Sequence, residues 1–349
     1  MMYDIAIIGG GIAGLYFASL LKDKKVLLIE EHKNLGPRRC SGIVSNRINN
    51  FFELPKTIIE KEVNKAIISY KNLTGIINFD SIVLDKERLE WFLLREAKKC
   101  VEIKFEKVNK IFEDYYGVII STKNEDYRTK YLVGCDGPNS LVRRIFIKEE
   151  PKKFYFGKFC YSKEKSKDYF QIFFDPKYSD LFSWIAPRKG KVEYGLISEK
   201  KLSYYYENFL HDKKPKYITD EGFGVIPTGM CKCSFDKGIL IGNSCGQTKP
   251  LTGGGIIYSL IAAKIAAKEF NKDKPNLKNY EKECKKIFGK EIKYQLWLRK
   301  IYSKLSDKKK EKLVKLISNS KLKIDMDFPV TDILRNHKMK VLRSLFSKV

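Results

Sequence analysis

The stretch YDIAIIGGGIAGLYFASLL, Tyr3 to Leu21, decides the fold of this chain. It begins with a continuous apolar run, typical of a buried parallel strand, and Ala13–Lys22 has the apolar spacing of a helix. Between them Gly9, Gly11 and Gly14 fit the pattern G-x-G-x-x-G. In that pattern the first glycine allows a tight turn, the second lets the backbone approach a pyrophosphate, and the third lets helix and strand pack closely.

The strand that follows supplies the second part of the same pattern. Val26–Glu30 is another continuous apolar run, and it ends in an acidic residue. Glu30 lies about 20 residues after the first glycine, where a carboxylate can accept a hydrogen bond from a ribose hydroxyl. A glycine-rich turn alone could be purely structural. The strand, the helix and the acidic residue together predict dinucleotide binding.

Composition excludes several classes of protein. The 349 residues are 43% hydrophobic and 13% aromatic, which excludes intrinsic disorder. We expect neither a transmembrane helix nor a signal peptide, because no run of about 20 uncharged apolar residues and no basic leader is present. Eight cysteines without a C-x-x-C pair and three histidines predict reduced thiols in a cytoplasmic protein and no metal site.

The charge balance indicates the kind of partner. A net charge of +26 arises from 68 Lys and Arg against 42 Asp and Glu. Such a chain attracts polyanions, among them anionic lipid headgroups, acidic proteins and nucleic acid. No aromatic-and-basic recognition motif is present, so we expect no specific nucleic-acid partner. The inner face of an anionic membrane and an acidic protein remain as alternatives.

Two further apolar strands end in small and polar residues. Tyr131–Val133 precedes Gly-Cys-Asp136-Gly137, and Gly238–Ile241 precedes Gly-Asn243-Ser-Cys-Gly. Small side chains at such positions let backbone approach a ligand. With the N-terminal motif, these segments resemble those of the FAD-dependent hydroxylase superfamily, whose members bind FAD through three such segments. The resemblance implies FAD as the cofactor.

Within that superfamily the chain resembles the geranylgeranyl reductase family, particularly the archaeal enzymes that saturate the prenyl chains of ether lipids. The loop Arg-Cys40-Ser-Gly corresponds to a cysteine loop beside the flavin, and Lys86 takes the place of an FAD-contacting arginine. Asn243 replaces the usual aspartate of the third segment. The resemblance implies these cofactor-binding residues: Gly9, Gly11, Ala13, Gly14, Glu30, Arg39, Cys40, Ser41, Gly42, Lys86, Val108, Asp136, Gly137, Asn243, Gly255 and Ile256.

The family's substrate motif, Pro-x-x-Tyr-x-Trp-x-Phe-Pro, is retained in part. Trp184 and Pro187 are present and Phe182 stands for the tyrosine, which implies a substrate-binding role for these three residues. The aromatic-rich segment from Phe154 to Trp184 can line a channel for a polyprenyl tail, or it can form the core of a sheet. Cys40 is the candidate catalytic residue as a proton donor, with simple packing near the flavin ring as the alternative.

These elements predict an α/β fold. A Rossmann-type FAD-binding domain is interrupted by an antiparallel β-sheet substrate domain and followed by a helical C-terminal region. The expected boundaries are residues 1–65, 80–150 and 225–276 for the FAD-binding domain, 66–79 and 151–224 for the substrate domain, and 277–349 for the basic C-terminal region.

The resemblance implies a reductase that saturates the double bonds of geranylgeranyl chains by hydride transfer from reduced flavin. The alternative is an FAD-dependent monooxygenase or dehydrogenase acting on another apolar substrate, because a fold does not determine chemistry. Only one G-x-G-x-x-G is present, so we expect no second nucleotide-binding domain dedicated to NADPH. Electrons can then come from an acidic carrier such as ferredoxin or from transient contact with NADPH. Leu342, Leu345 and Phe346 form an apolar helical stripe, which suits either a membrane surface or the protein's own core.

Overall fold

The computed structural model describes residues 2–36, 40–319 and 323–336. The chain forms two sheets with helices around them. At the N-terminus the elements follow the predicted order of strand, helix and strand. The strands in these ranges are β1 (Met2–Ile8), β2 (Val26–Glu30), β3 (Ile43–Ser45), β4 (Ile59–Tyr70), β5 (Leu73–Leu84), β6 (Glu102–Phe105), β7 (Lys110–Glu113), β8 (Val118–Ser121), β9 (Asp126–Gly134), β10 (Lys153–Ser162), β11 (Phe170–Phe173), β12 (Phe182–Arg188), β13 (Lys191–Ser198), β14 (Ile218–Thr228), β15 (Ser234–Phe235) and β16 (Gly238–Leu240).

The helices surround these sheets and become frequent toward the C-terminus. In the described ranges they are α1 (Ile12–Ser19), α2 (Lys86–Ala97), α3 (Leu202–Lys213), α4 (Ile256–Phe270), α5 (Leu277–Cys284), α6 (Lys290–Tyr302), α7 (Asp307–Asn319) and α8 (Pro329–Asn336). None of these helices has both the length and the apolarity needed to cross a bilayer.

The first sheet carries the predicted dinucleotide-binding motif. Its strand order is β15-β16-β9-β1-β2-β6, and β8 and β7 extend it from β9. Strands β16, β9, β1, β2 and β6 run parallel, so their carboxyl ends meet at one edge. Side chains of β1 and β2 are buried on both faces, which explains the continuous apolar runs. The Rossmann-type half of the predicted fold is confirmed.

The second sheet is larger than expected. Its order is β14-β10-β13-β12-β11-β4-β5-β3, and its pairs are antiparallel except for the parallel pair of β4 with β11. The hairpin β4–β5 is paired from Ile59 to Leu84, so residues 59–65 and 80–84, expected in the FAD-binding part, belong to this sheet. Two long paired strands cannot be divided between sheets, so the edge of the second sheet differs there from the expected domain boundary. The division into folding domains stays a prediction.

The segment after the second sheet is helical, as predicted for residues 277–349 as far as they are described. Helix α7 packs on the β4–β5 hairpin, where Val314 joins Ile68 and Tyr70 in a small core. The chain then returns to β5, where Lys323 forms a bridge with Asn78 and the N–H of Ile324 donates to the carbonyl oxygen of Asn78 at 2.9 Å. The predicted amphipathic stripe of Leu342, Leu345 and Phe346 lies outside the described residues. Helix α3, inside the segment expected to be all strand, is a feature that the sequence analysis missed.

Candidate active site

A cavity of about 440 Å³ lies between the two sheets, at the carboxyl ends of β1, β9 and β16. All three glycine-bearing segments contribute to its wall. The predicted cofactor-binding residues that line it are Gly11, Ala13, Cys40, Ser41, Lys86, Gly137, Asn243, Gly255 and Ile256. Three segments that are far apart in sequence therefore meet around one space, as the FAD prediction requires.

The glycines of the first segment divide into packing positions and an open position. Gly9 has φ +103°, and an added Cβ would lie 2.3 Å from the carbonyl oxygen of Cys135. At Gly14 a Cβ would lie 2.0 Å from the carbonyl oxygen of Gly9. At Gly11 an added Cβ would lie more than 4 Å from the described atoms outside its chain neighbours and its own helix, and no described side chain caps the N-terminus of α1 there. The uncapped N–H groups and the open space fit a pyrophosphate.

Glu30 holds the glycine turn in place. Its Oε2 atom accepts a hydrogen bond of 2.6 Å from the N–H of Gly10, and Oε1 accepts one of 2.9 Å from the N–H of His32. Glu30 does not line this cavity, so its contact with a ribose hydroxyl stays a prediction.

The second segment presents a carboxylate without a full set of partners. Oδ2 of Asp136 accepts a hydrogen bond of 3.1 Å from the N–H of Val142, while the buried Oδ1 atom has no partner in the described structure. Burial raises the pKa of Asp136 above its ordinary value. Gly137 has φ +75° and open space where a Cβ would lie. An unpaired buried oxygen is costly, so these features fit a ligand that donates a hydrogen bond.

Arg143 joins the second segment to the third, a role that the sequence analysis missed. Its guanidinium donates to the carbonyl oxygen of Ser244 at 2.8 Å and to that of Pro138 at 3.0 Å. The side chain is 3% exposed. The available signal was an arginine placed in the apolar stretch that follows Asp136. These two hydrogen bonds join the turn after β9 to the turn after β16.

The third segment ends at another uncapped helix. Gly255 is the N-cap of α4 without a side-chain cap, and an added Cβ there would lie 3.1 Å from Oδ1 of Asn243. The sequence analysis missed Lys249, which also lines the cavity. Its ammonium donates to the carbonyl oxygen of Met326 at 3.0 Å and to Oδ1 of Asp327 at 2.9 Å.

The cysteine loop and α2 complete the cofactor side of the cavity. Cys40 is half-buried, and its sulfur accepts a hydrogen bond of 3.4 Å from the N–H of Gly42. Lys86 is paired with the buried Glu90 at 2.5 Å. Arg39 lies outside the described residues. Gly42 and Val108 do not line this cavity, and their cofactor contacts stay predictions.

The opposite wall of the cavity is apolar and belongs mainly to the second sheet. Phe182 and Trp184 line it, with ring centroids 5.7 Å apart, whereas Pro187 is buried elsewhere in β12. Gly195 accommodates Trp184, because a Cβ at Gly195 would lie 2.3 Å from the indole ring. The remaining aromatic and aliphatic side chains that the second sheet contributes to this wall are Ile43, Ile77, Phe79, Phe159, Phe170, Ile172, Ile197, Val225 and Ile226.

The predicted aromatic channel is therefore realised only in part. Of the aromatic residues between Phe154 and Trp184, four line the cavity: Phe159, Phe170, Phe182 and Trp184. Others do not line it. Tyr155 packs against Leu181 and the wall residue Ile197, and Phe173 packs near Phe209 in a separate core. The second interpretation of these aromatics, as the core of a sheet, holds for that group.

Comparisons with known proteins agree with this geometry. Residues 7–54 match the family described as NAD(P)-binding Rossmann-like domain. The chain is 32% identical to an uncharacterized protein of Methanocaldococcus jannaschii over 98% of this chain and 95% of that one. It is 26% identical to the digeranylgeranylglycerophospholipid reductase of the same organism, over 93% of each chain.

Solved structures show the same architecture. A geranylgeranyl bacteriochlorophyll reductase-like protein of Thermoplasma acidophilum superimposes with a TM-score of 0.84 over 99% of both chains, at 20% identity. The halogenase PltM, solved in complex with FAD, gives a TM-score of 0.66 over 90% of this chain and 77% of that chain, at 13% identity.

The open backbone at Gly11 and Gly137, the unpaired oxygen of Asp136 and the two uncapped helices all fit FAD. FAD is the cofactor of this fold, and the relatives span nearly the whole chain. The chain therefore belongs to one family with the uncharacterized Methanocaldococcus jannaschii protein, is similar to the geranylgeranyl reductases over nearly its whole length, and is an FAD-dependent oxidoreductase.

Proposed function

We propose that the protein is an FAD-dependent reductase that saturates the double bonds of geranylgeranyl chains of membrane ether lipids or their precursors. The observation that carries this proposal is the composition of the cavity. One wall is built from the glycine-bearing segments around Gly11, Gly137 and Gly255, and the opposite wall is built from apolar side chains of the second sheet. A hydrocarbon chain on that surface lies directly against the cofactor side.

The distribution of polar groups supports a hydrocarbon substrate. Lys86, Glu90, Asn243 and Lys249 lie on or beside the cofactor segments, and the wall formed by the second sheet presents aromatic and aliphatic side chains. Removing apolar surface from water stabilises a complex by roughly 25 cal/mol per Å². A prenyl chain gains this energy, whereas a polar substrate would lose its hydration on the same wall without new hydrogen bonds.

When bound, reduced FAD supplies a hydride to one carbon of the double bond. The other carbon then requires a proton, and the chain's own residues must hold it near the cavity. We assign that role to the thiol of Cys40, which lines the cavity and is half-buried. Cys135 also borders the cavity, but burial raises the pKa of its thiol well above the ordinary value, which makes it a poor donor.

The proposal is tested without oxygen. Protein loaded with FAD and reduced chemically is mixed with a geranylgeranyl ether lipid, and flavin absorbance and lipid mass are followed. Reoxidation accompanied by the gain of two hydrogen atoms per double bond is expected. The fully saturated lipid is the control. If the reduced flavin reacts only when oxygen is admitted with substrate, and oxygen enters the product, the protein is a monooxygenase instead.

The partners of the reaction form a separate proposal. The net charge of +26 favours an acidic electron carrier such as ferredoxin, with NADPH as the second candidate. Rates of FAD reduction by each donor, measured at low and high salt, distinguish them.

The same charge favours an anionic lipid surface, so the protein is expected to co-sediment with anionic vesicles at low salt. Failure to co-sediment would remove the membrane surface as a partner.

A further inference from the structure

A buried arginine at the end of β12 connects several parts of the cavity wall. The side chain of Arg188 is 2% exposed. Its Nε atom donates to Oε2 of Glu193 at 3.0 Å, and Nη1 donates to Oε2 of Glu60 at 3.1 Å. Two carboxylates thus surround one guanidinium.

The same guanidinium reaches beyond β12 and β13. Nη1 donates to the carbonyl oxygen of Leu84 at 3.0 Å, and Nη2 donates to the carbonyl oxygen of Ser41. Ser41 directly follows Cys40, and Leu84 is the last residue of β5 before the start of α2 at Lys86. Arg188 therefore holds backbone of the cysteine loop and of the segment leading to Lys86.

Glu193 extends this connection to the substrate wall. The residue is fully buried, and its Oε1 atom accepts a hydrogen bond of 2.8 Å from Nε1 of Trp184. A continuous chain of contacts thus runs from the indole of Trp184 through Glu193 and Arg188 to the carbonyl oxygen of Ser41.

We interpret this network as one that fixes the relative positions of its acceptors rather than one that adds stability. A buried ion pair usually stabilises a fold no better than well-packed apolar side chains would. An arginine fork, however, fixes several acceptors in one plane, which a lysine cannot do. The acceptors here are carbonyl and carboxylate oxygens from separate parts of the wall.

We propose that Arg188 is a positioning residue, which fixes the loop of Cys40 against the wall of Trp184. The thiol and the indole, both on the cavity, then keep a set separation. The importance of that separation for reduction rests on the proposed function, because a double bond must lie between the flavin and the proton donor. The coupling itself is independent of any substrate, and the experiments below measure the coupling.

The first experiment measures access to Cys40. Cys40 is half-buried and Cys100 is exposed, whereas the other six cysteines are buried. In a Cys100→Ser background, the FAD-loaded protein is treated with a chromogenic aromatic disulfide. The Cys40 thiolate attacks the reagent, forms a mixed disulfide and releases a coloured thiolate. Arg188→Met is expected to raise the rate of this Cys40 reaction at least tenfold. The rate is measured on the plateau of its dependence on pH.

The second experiment follows Trp184 by its fluorescence. The chain has three tryptophans, and Trp91 and Trp297 are exposed, so both are replaced by Phe. Emission then comes from Trp184 and reports its hydrogen bond to Glu193. Arg188→Met is expected to shift this emission, although residue 188 does not touch the indole in the described contacts. Arg188→Lys, which keeps the charge but not the fork, is expected to recover only part of both effects.

Controls separate positioning from general loss of structure. Arg95→Met, at an exposed arginine of α2, should change neither readout. If Arg188→Met does not fold, the variant Arg188→Met/Glu193→Met removes the two most deeply buried charges, leaves only the partly exposed Glu60, and should show the same faster Cys40 reaction. Unchanged Cys40 reactivity in folded protein of either variant would overturn the proposal. Loss of lipid reduction with both readouts unchanged would count against it too, while failure of wild-type lipid reduction would count only against the proposed function.

Discussion

The ammonium nitrogen of Lys249 lies 2.9 Å from Oδ1 of Asp327, and both side chains are buried beside the cavity. The other carboxylate oxygen of Asp327 accepts from Oγ of Ser45 at 2.5 Å and from Nε of Arg47 at 3.2 Å. The hydroxyl of Tyr258 donates to the carbonyl oxygen of Asp327 at 2.7 Å. This cluster holds the segment before α8 against the third glycine-bearing segment and so closes one side of the cavity.

Asp327→Asn is expected to destabilise the protein strongly. The change leaves the ammonium of Lys249 and the guanidinium of Arg47 near a neutral amide, and breaking a buried ion pair in this way costs about 3–5 kcal/mol. Urea unfolding measures the loss. Asp80→Asn is the matched control, because it breaks a surface pair with Lys323 of the same segment and should cost at most about 1 kcal/mol. Equal losses in the two variants would contradict the assignment.

The pH dependence of the unfolding free energy should report the ionisation of Asp327. Burial alone raises the pKa of Asp327, but Lys249, Ser45 and Arg47 together lower it below the ordinary value. The folded state therefore favours the ionised form, and its contribution is present above the unfolded pKa of about 3.9 and is lost as the pH falls through the lowered folded pKa. The difference in unfolding free energy between wild type and Asp327→Asn is expected to shrink below about pH 4. A difference that stays constant down to pH 2 would contradict this.

Asp136 should behave in the opposite way. Its pKa is raised by burial, so the flavin-free folded state favours the protonated form. The stabilising contribution is present below the unfolded pKa and is lost as the pH rises through the raised folded pKa. At neutral pH, Asp136→Asn is therefore expected to stabilise the flavin-free protein while weakening FAD binding. Thermal unfolding without FAD and FAD titration measure the two effects, and a destabilised flavin-free variant would refute the prediction.

Gly11 and Gly14 should separate cofactor binding from folding. At Gly11, φ is −75° and an added Cβ meets open space, so Gly11→Val should change the unfolding free energy by less than about 0.5 kcal/mol. The side chain would occupy the space expected for the pyrophosphate, and FAD affinity should fall at least about tenfold. Gly14→Val, whose Cβ would overlap the carbonyl oxygen of Gly9, should instead prevent stable folding.

Cys40→Ala tests the proposed proton donor. General acid catalysis contributes about 10²- to 10⁴-fold, so turnover with reduced flavin should fall by at least about a hundredfold while FAD affinity is retained. Cys100→Ala, at an exposed thiol, is the control. Full turnover of the Cys40 variant would eliminate the donor role and leave Cys40 as a packing residue of the loop.

Much of the cofactor side could be predicted because its signals are local in sequence. Gly9 needs a positive φ, and the apolar runs of β1 and β2 indicate strands covered on both faces. Such properties depend on a residue and its chain neighbours. The residues that were missed, among them Arg143 and Lys249, act through partners 101 and 78 positions away. No periodicity or motif in the sequence predicts a partner at such a distance along the chain.

The sequence by itself determined the succession of strand, helix and strand at the N-terminus, the glycine turns and the family resemblance that implies FAD. Those features follow from local backbone conformation and from continuous apolar runs bounded by small residues. Only the tertiary structure decided that β4 pairs with β11, that the hairpin β4–β5 belongs wholly to the second sheet, and that Arg188 and Asp327 connect distant walls. A buried charge needs a partner of opposite charge, and packing decides which residue becomes that partner. The partner's position along the chain does not decide it.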